Sequence, residues 1–370
     1  MLIVAINAGS SSLRLSLFAE TDGGVVLQTK VLHQNIEEAD KHLLLDFLAA
    51  VDVSDIKLVA HRVVHGGSLL TTPCLIDAVV EEKIEALSSL APLHNPVALA
   101  WIRMARGLLG QQIPQIAIFD TAFYQSLPAV ARTYALPQAL CCQYNIRRYG
   151  FHGLAHSAML KRWQGIRPQM DGGRVISVQL GSGCSITAIK QGKPVDTSMG
   201  FSPLEGLVMA TRAGDLDPAI ILNLQRETGM RVEEVERLLS HQSGLLGVSE
   251  KSGDMRVLLK SNSVAAGLAV DLYCYRVRKY IGAYLAVLEG ADAILFGGGV
   301  GENSSQVRAK ILKDMCWSGI DLDVARNENT VGTEARISSD QSKVDVRVIT
   351  VDEAGMMAQI ALEVVRKTRK

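Results

Sequence analysis

The chain has 370 residues, long for one compact domain and suited to two. Lysine plus arginine and aspartate plus glutamate balance at 38 each, so no basic excess draws the chain onto nucleic acid or an anionic membrane. Any anion site must therefore be local.

The first run, Met1–Ile6, is apolar but too short for a signal peptide and lacks a basic flank. No uninterrupted apolar stretch reaches membrane-spanning length. The six cysteines form no CxxC and no pairing pattern, so they read as reduced thiols in a cytoplasm, and a metal cluster built from them is not expected.

Ile3 to Phe18 (IVAINAGSSSLRLSLF) is an apolar strand, a Gly/Ser turn and an alternating strand, which predicts a β-hairpin. Gln34–Val51 reads as a charged helix, Lys57–His61 as a strand, and Glu81–Leu90 and Leu99–Leu109 as helices. Gln115–Phe119 is a buried strand ending at Asp120. Val175 to Lys190 (VISVQLGSGCSITAIK) repeats the opening pattern. Placed without gaps, Asn7 falls on Gln179, Gly9 on Gly181 and Ser10 on Ser182. The match predicts a duplicated fold with one anion-holding hairpin per half, where small tip residues let backbone N–H groups approach a phosphate. Chance likeness between two hairpins is the plainer alternative.

Asp217-Pro218 predicts a helix N-cap and first position, with a stop at Gly229. Val264–Glu289 is a long apolar-striped helix. The short strand Ala293–Phe296 runs into Gly297–Gly301, which opens a helix through Glu302 and Asn303. The strand Val346–Val351 precedes Asp352-Glu353 and a closing helix from Ala354 to about Arg366. Strands alternating with helices argue an α/β fold.

Polar residues gather at strand ends: Asn7, Arg62, Asp120 and Glu353. In open α/β sheets ligands bind there, although a single charged strand end is commonly just solvated. Arg62 and Arg212 suit a carboxylate or phosphate through the bidentate fork, or a surface ion pair. His94 lies in the rigid turn APLHNP. His152 and His156 are four apart, but without HExxH and with Gly153 between them zinc is not expected. His61 and His65 read as structural. The glycines 297–301 match neither GxxxxGK[ST] nor GxGxxG.

Together these segments resemble the acetate kinase family: INAGSSSLR (6–14), HRVVHGG (61–67), LAPLHNP (90–96), FDTAF (119–123), RRYGFHG (147–153), VDTSMGFSPLEGLVMATRAGDLDP (195–218), FGGGVGEN (296–303) and DE (352–353). The resemblance implies two ribonuclease H-like domains, the duplicated actin-like ATPase fold, with a nucleotide cleft between them. The first domain would be 1–121 plus 355–370, with the last helix returning to it, and the second 122–354. It implies reversible phosphoryl transfer between ATP and acetate, with Mg²⁺ or Mn²⁺, in a cytoplasmic homodimer. Asn7 and Glu353 would hold the metal. Ser10, Ser12 and Arg14 would line the first phosphate hairpin, and Gly181, Ser182 and Gly183 the second. Arg62 and Arg212 would bind the carboxylate or the transferring group. His152, supported by His94, would steady the phosphoryl oxygens, and Asp120 would position the attacking carboxylate's surroundings. Val64, Leu93, Phe151 and Pro203 would enclose the short alkyl group. Asp254, Met255 and Arg256, with Gly299, Val300, Gly301, Glu302 and Asn303, would hold adenosine.

The chain departs from the family pattern at Gln179 and Ser182 (usually His and Asn), Arg14 (Lys), Tyr124 (His), Asp352 (Asn) and Ala354 (Glu), which puts phosphate-donor details in question. Alternatives are a propionate or butyrate kinase, a pyrophosphate-dependent enzyme, and a non-catalytic nucleotide-binding module of the actin type. The last should lack both the substrate arginines and the 195–218 block.

Overall fold

A computed structural model describes residues 1–368 other than Ser10, Ser11, Asn35, Glu37, Glu38 and Leu93. Contacts gather the chain into two units: Met1–Gln125 with the stretch from Asp352 onward, and Ser126–Val351.

In the first unit the strands are β1 (Leu2–Ala8), β2 (Ser12–Thr21), β3 (Gly24–Gln34), β4 (Ile56–Val63), β5 (Cys74–Leu75) and β6 (Gln115–Phe119). They form one sheet in the order β3-β2-β1-β4-β6-β5. β1, β4 and β6 run parallel, and the other pairings are antiparallel. Ile3 to Ala8 are all buried, as expected of a central strand covered on both faces. Val4, Ile6, Leu13 and Leu15 pack with Leu44 and Trp101 from the helices Lys41–Leu48 and Asn95–Leu109. Each such aliphatic side chain contributes about 1.5–3 kcal/mol through burial. The helix Glu353–Thr368 lies against β1 and β4 and buries Met357, Ala358, Ala361 and Leu362.

In the second unit the strands are β7 (Arg174–Leu180), β8 (Cys184–Lys190), β9 (Lys193–Thr197), β10 (Ala293–Gly297), β11 (Ala335–Arg336) and β12 (Asp345–Val348). Their order, β11-β12-β10-β7-β8-β9, is that of the first sheet read from the other end. β7, β10 and β12 are parallel, and the remaining strands are antiparallel. The fold is therefore α/β and duplicated. The helix Gly153–Ile166 packs on β7, and Val264–Leu288 on β8.

Two expectations need correction. The ungapped match between hairpins slips at the tip: Ala8 pairs with Leu13, but Leu180 pairs with Cys184, so the first turn is one residue longer. In consequence Asn7 faces Arg14, while Gln179 faces Ser185. The helix expected over 34–51 is only Lys41–Leu48, because Gln34 still belongs to β3 and Asp40 caps the helix through its carboxylate and the His42 N–H, 2.9 Å apart. The second-half cap is as expected. Asp217 accepts from the Ala219 N–H at 2.9 Å, and Gly229 closes the helix with φ 70°.

Candidate active site

Asn7, Arg62 and Asp120 come from the carboxyl ends of the three parallel strands of the first sheet, and Glu353 is the first residue of the closing helix. Parallel strands in register bring their ends to one edge, so four residues distant in sequence become neighbours. The Arg62 guanidinium forks onto Asp120: Nε lies 3.2 Å from both carboxylate oxygens and Nη2 2.6 Å from Oδ2. Its Nη1 donates to Asn7 Oδ1 at 3.2 Å, and Asn7 Nδ2 donates to Glu353 Oε2 at 2.8 Å. Asp120 is fully buried. Burial works against the Arg62 charge, but the Asp120 and Glu353 carboxylates outweigh it and hold the guanidinium above its ordinary range. The result is a fixed cation with a carboxylate brace.

Behind this edge His61 Nε2 lies 2.7 Å from the Gln115 side-chain amide. Burial lowers His61 to about 3, so the ring is neutral. His65 Nδ1 accepts from the Gly67 N–H at 3.0 Å, and the His65 backbone N–H donates to Asn95 Oδ1 at 3.2 Å. Both histidines are buried within the first unit. His94 is the N-cap of Asn95–Leu109, without a side-chain cap bond, and Val64 is buried in the same unit. The expected roles of Ser10 and Leu93 lie outside the described residues. Ser12 begins β2, with its carbonyl accepting from the Gly9 N–H at 2.7 Å, and Arg14 follows two residues on, opposite Asn7.

In the second unit His152 and Arg212 converge on the β7–β8 tip. A Cβ at Gly183 would lie 3.2 Å from His152 Nε2 and 3.9 Å from Arg212 Nη1. Arg212 Nη1 donates to the Pro203 carbonyl at 3.3 Å, and the Ser182 carbonyl accepts from the Ala210 N–H at 3.0 Å. These bonds tie the irregular segment 198–217 to the tip, whose Gly181 N–H donates to the Gly183 carbonyl at 3.1 Å. Phe151 is buried in this unit and Pro203 is half-buried, while Val64 belongs to the first unit.

The residues expected around adenosine are braced from within. Asp254 caps Met255–Leu259, accepting from the Arg256 N–H at 2.8 Å, and pairs with the Arg256 guanidinium at 2.6 Å, while Met255 is buried. Gly298 has φ 78°, and a Cβ there would meet the Leu180 carbonyl at 2.6 Å, so only glycine fits the start of the helix Gly298–Asn303. At Gly299 nothing lies within 4 Å of a would-be Cβ, so the space there is open, whereas Gly301 is buried against Phe296 and Leu180. Glu302 Oε1 accepts from the N–H groups of Gly298 (2.9 Å) and Val351 (3.1 Å), a brace rather than a free carboxylate. Asn303 Nδ2 donates to the Gly299 carbonyl at 2.9 Å.

Two groups were not singled out from sequence. Arg308 is fully buried and gives its hydrogens to the carbonyls of Gly301, Glu302, Asn327 and Thr330 and to Asn327 Oδ1. Burial lowers it to about 10. Nothing in its helical surroundings marks it. Glu205 accepts from the Tyr134 hydroxyl and, at 2.5 Å, from Arg148 Nη2. Tyr134 in turn accepts from the Phe201 N–H at 2.8 Å. Arg148 and Glu205 do stand inside the quoted motifs, and that was the available signal.

Metal fit rests on donor chemistry. Asn7 and Glu353 offer hard oxygens, while no group of three or more His, Cys, Asp or Glu side chains able to hold a metal occurs among the described residues. So spare a donor set suits Mg²⁺, which keeps waters and substrate phosphates as its other ligands.

The family model described as the acetokinase family matches residues 30–359. The chain belongs to the acetokinase family. It is 48% identical over 313 residues to the acetate kinase of Chloroherpeton thalassium, covering 83% of this chain and 75% of that one. It is 41% identical to the acetate kinase of Staphylococcus haemolyticus, over 97% of each chain. Among solved structures, Porphyromonas gingivalis acetate kinase superposes with TM-score 0.88 at 35% identity, over 98% of this chain and 99% of that one. A propionate kinase from Francisella tularensis superposes with TM-score 0.89, also at 35% identity and the same coverage. These acetokinase-family likenesses run through both units.

Proposed function

We propose that this chain transfers the γ-phosphoryl group of ATP to acetate, giving acetyl phosphate and ADP, and runs the reverse reaction. The observation that carries the reading is the Asp120–Arg62–Asn7–Glu353 network at the strand ends of an acetokinase-family chain. A carboxylate is already a nucleophile, so no strong base is required. The acetate oxygen attacks phosphorus in line while the bond to the ADP oxygen breaks. Charge on the three equatorial oxygens needs cations and donors held in place. Arg62 and Arg212 would supply the cations and His152 a further donor. Asp120 is spent on Arg62, so it would orient the guanidinium rather than take a proton. Asn7 and Glu353 would hold Mg²⁺, which when bound neutralises phosphate charge. We assign recognition of the methyl group to Val64, Leu93, Phe151 and Pro203, as the family resemblance implies.

The space at Gly299 supports ATP over pyrophosphate as donor. A propionate kinase is the second reading, favoured by the Francisella tularensis likeness. One methylene is worth only about 1–3 kcal/mol in such a pocket. Six free thiols support a cytoplasmic setting, and the family resemblance supports a homodimer. No helix among the described residues is long and apolar enough to cross a membrane.

The test is ADP formation with Mg²⁺, ATP and a panel of acetate, propionate and butyrate, read as kcat/KM. Acetate should lead. A lead for propionate would move the reading to the second enzyme, and intact ATP binding without turnover would leave only a nucleotide-binding module. Chelating Mg²⁺ should abolish turnover, and adding it back should restore it.

A further inference from the structure

A line of hydrogen-bonded side chains runs inward from His152. Its Nδ1 lies 2.9 Å from Ser185 Oγ, which lies 2.8 Å from His156 Nε2. His156 Nδ1 then lies 2.8 Å from Ser177 Oγ. Ser177, Ser185 and His156 have no exposed surface. The fold makes this line. His152 caps the helix Gly153–Ile166 and His156 sits one turn in, on the same side. Ser177 pairs with Thr187, two residues beyond Ser185 on β8, so both serines face that side of the sheet. His152 itself holds a left-handed backbone, φ 56°, that only well-determined surroundings sustain. The preceding Tyr149 N–H is pinned to the Gly200 carbonyl at 3.0 Å.

The protons along such a line are countable. Burial, and then the nearby His152, keep His156 well below its ordinary range, so it carries one N–H. Each serine has one O–H to give. Ser177 has two acceptors within reach, His156 Nδ1 at 2.8 Å and the Met159 thioether at 3.8 Å. A ring nitrogen is the stronger acceptor by far. In the opposite polarity His156 Nδ1–H would donate to Ser177, whose hydroxyl would turn to the weak thioether acceptor at 3.8 Å; the 2.8 Å O–H to ring-nitrogen bond is the stronger use of that hydroxyl, and with Ser177 donating to Nδ1 the His156 hydrogen lies on Nε2. That N–H donates to Ser185 Oγ, and the Ser185 hydroxyl donates to His152 Nδ1. With Nδ1 occupied as an acceptor, a neutral His152 must hold its own hydrogen on Nε2, the atom beside the Gly183 backbone and the Arg212 guanidinium.

We propose that Ser177, His156 and Ser185 form a positioning relay that holds neutral His152 as the Nε2–H tautomer, presenting a hydrogen-bond donor to the transferring phosphoryl oxygens. The relay rests on the reading of His152 as a donor to those oxygens. None of the three touches the reacting atoms; they act through the ring.

The deciding measurement is a ¹⁵N–¹H ring correlation on the full-length protein with ¹⁵N-labelled histidine, near pH 8. Signals are assigned by their loss in His152→Gln and His156→Gln. The expected result is an unprotonated, hydrogen-bonded Nδ1 and a protonated Nε2 at both residues. A His152 ring protonated at Nδ1 and bare at Nε2 overturns the relay. Kinetics of Ser185→Ala give the second arm: kcat should fall about 10–100-fold, the usual cost of losing an outer-layer partner. KM for ATP and the carboxylate should stay within about twofold, as for a group acting only in the transition state. A kcat within about twofold of wild type overturns it as well. Should Ser185→Ala fail to fold, the spectrum of the unmodified protein still decides. Absence of ADP formation by the unmodified protein would fail the kinase reading while leaving the tautomer result standing.

Discussion

Arg62 shows how a partly buried cation is made to last. Its carboxylate partner Asp120 has no solvent, so neither side chain can be removed without stranding the other. Arg62→Ala should cost about 3–5 kcal/mol of transition-state stabilisation, roughly 10²–10⁴-fold in kcat/KM. Arg62→Lys should recover little of it, since a point ammonium cannot fork onto Asp120 and reach Asn7 together. Steady-state kinetics of the two variants checks both statements. His61 carries a different consequence. Folded, it titrates near 3; unfolded, near the ordinary 6.5. Between those values the unfolded chain binds the extra proton, so stability falls as pH drops through that window and is fully present above it. One proton gives a slope of about 1.4 kcal/mol per pH unit. Denaturant melts of wild type and His61→Asn between pH 7 and pH 5 should show the variant with the flatter dependence. Equal slopes would remove His61 as the cause.

Among the elements, the segment 198–217 has the least regular structure and the most to hold. It carries Pro203 and Arg212 and is gripped by Tyr134 and Arg148 through Glu205. Burial, with Glu205 as acceptor, pushes the Tyr134 phenol upward, so it stays protonated and keeps donating. Tyr280 adds a second grip, donating to Asp215 Oδ2 at 2.8 Å. A Cβ at Gly200 would stand 1.7 Å from Glu205 Oε2. Gly200→Ala should therefore spring the grip and lower kcat/KM by about tenfold or more, since a small misplacement of a positioned group is costly. A circular dichroism spectrum like that of wild type would separate this from unfolding. These grips explain what could be read in advance. Strands with continuous apolar runs, such as Gln115–Phe119, and capped helices, such as the one after Asp217, were legible because local chemistry sets them. The short β5 and β11 were not, since two residues make no pattern and tertiary pairing alone defines them. The site residues were legible mainly as motifs. Their bonding was not: that Glu302 braces backbone N–H groups, or that Arg308 is buried among carbonyls, follows from chain crossings that no local stretch encodes.

For the molecule entire, duplication is the organising fact. Two sheets share one topology, and each unit carries one of the two arginines, Arg62 in the first and Arg212 in the second. Arg62→Ala and Arg212→Ala should each be severe, and the double variant should lose much less than the product of the two. Groups acting on one transition state behave as a unit. Strict multiplication of the two losses would mean that they serve separate events.

Glu353 is reached only after the whole of the second unit has been made, yet it hydrogen-bonds a residue seven positions from the start. A growing chain can thus lay down six strands early and still be unable to finish that half. Until the closing helix docks, β1 and β4 lack the cover that Met357, Ala358, Ala361 and Leu362 provide, and Asn7 lacks its carboxylate. The first-made unit is therefore completed last, once the second has been synthesised and the closing helix can dock.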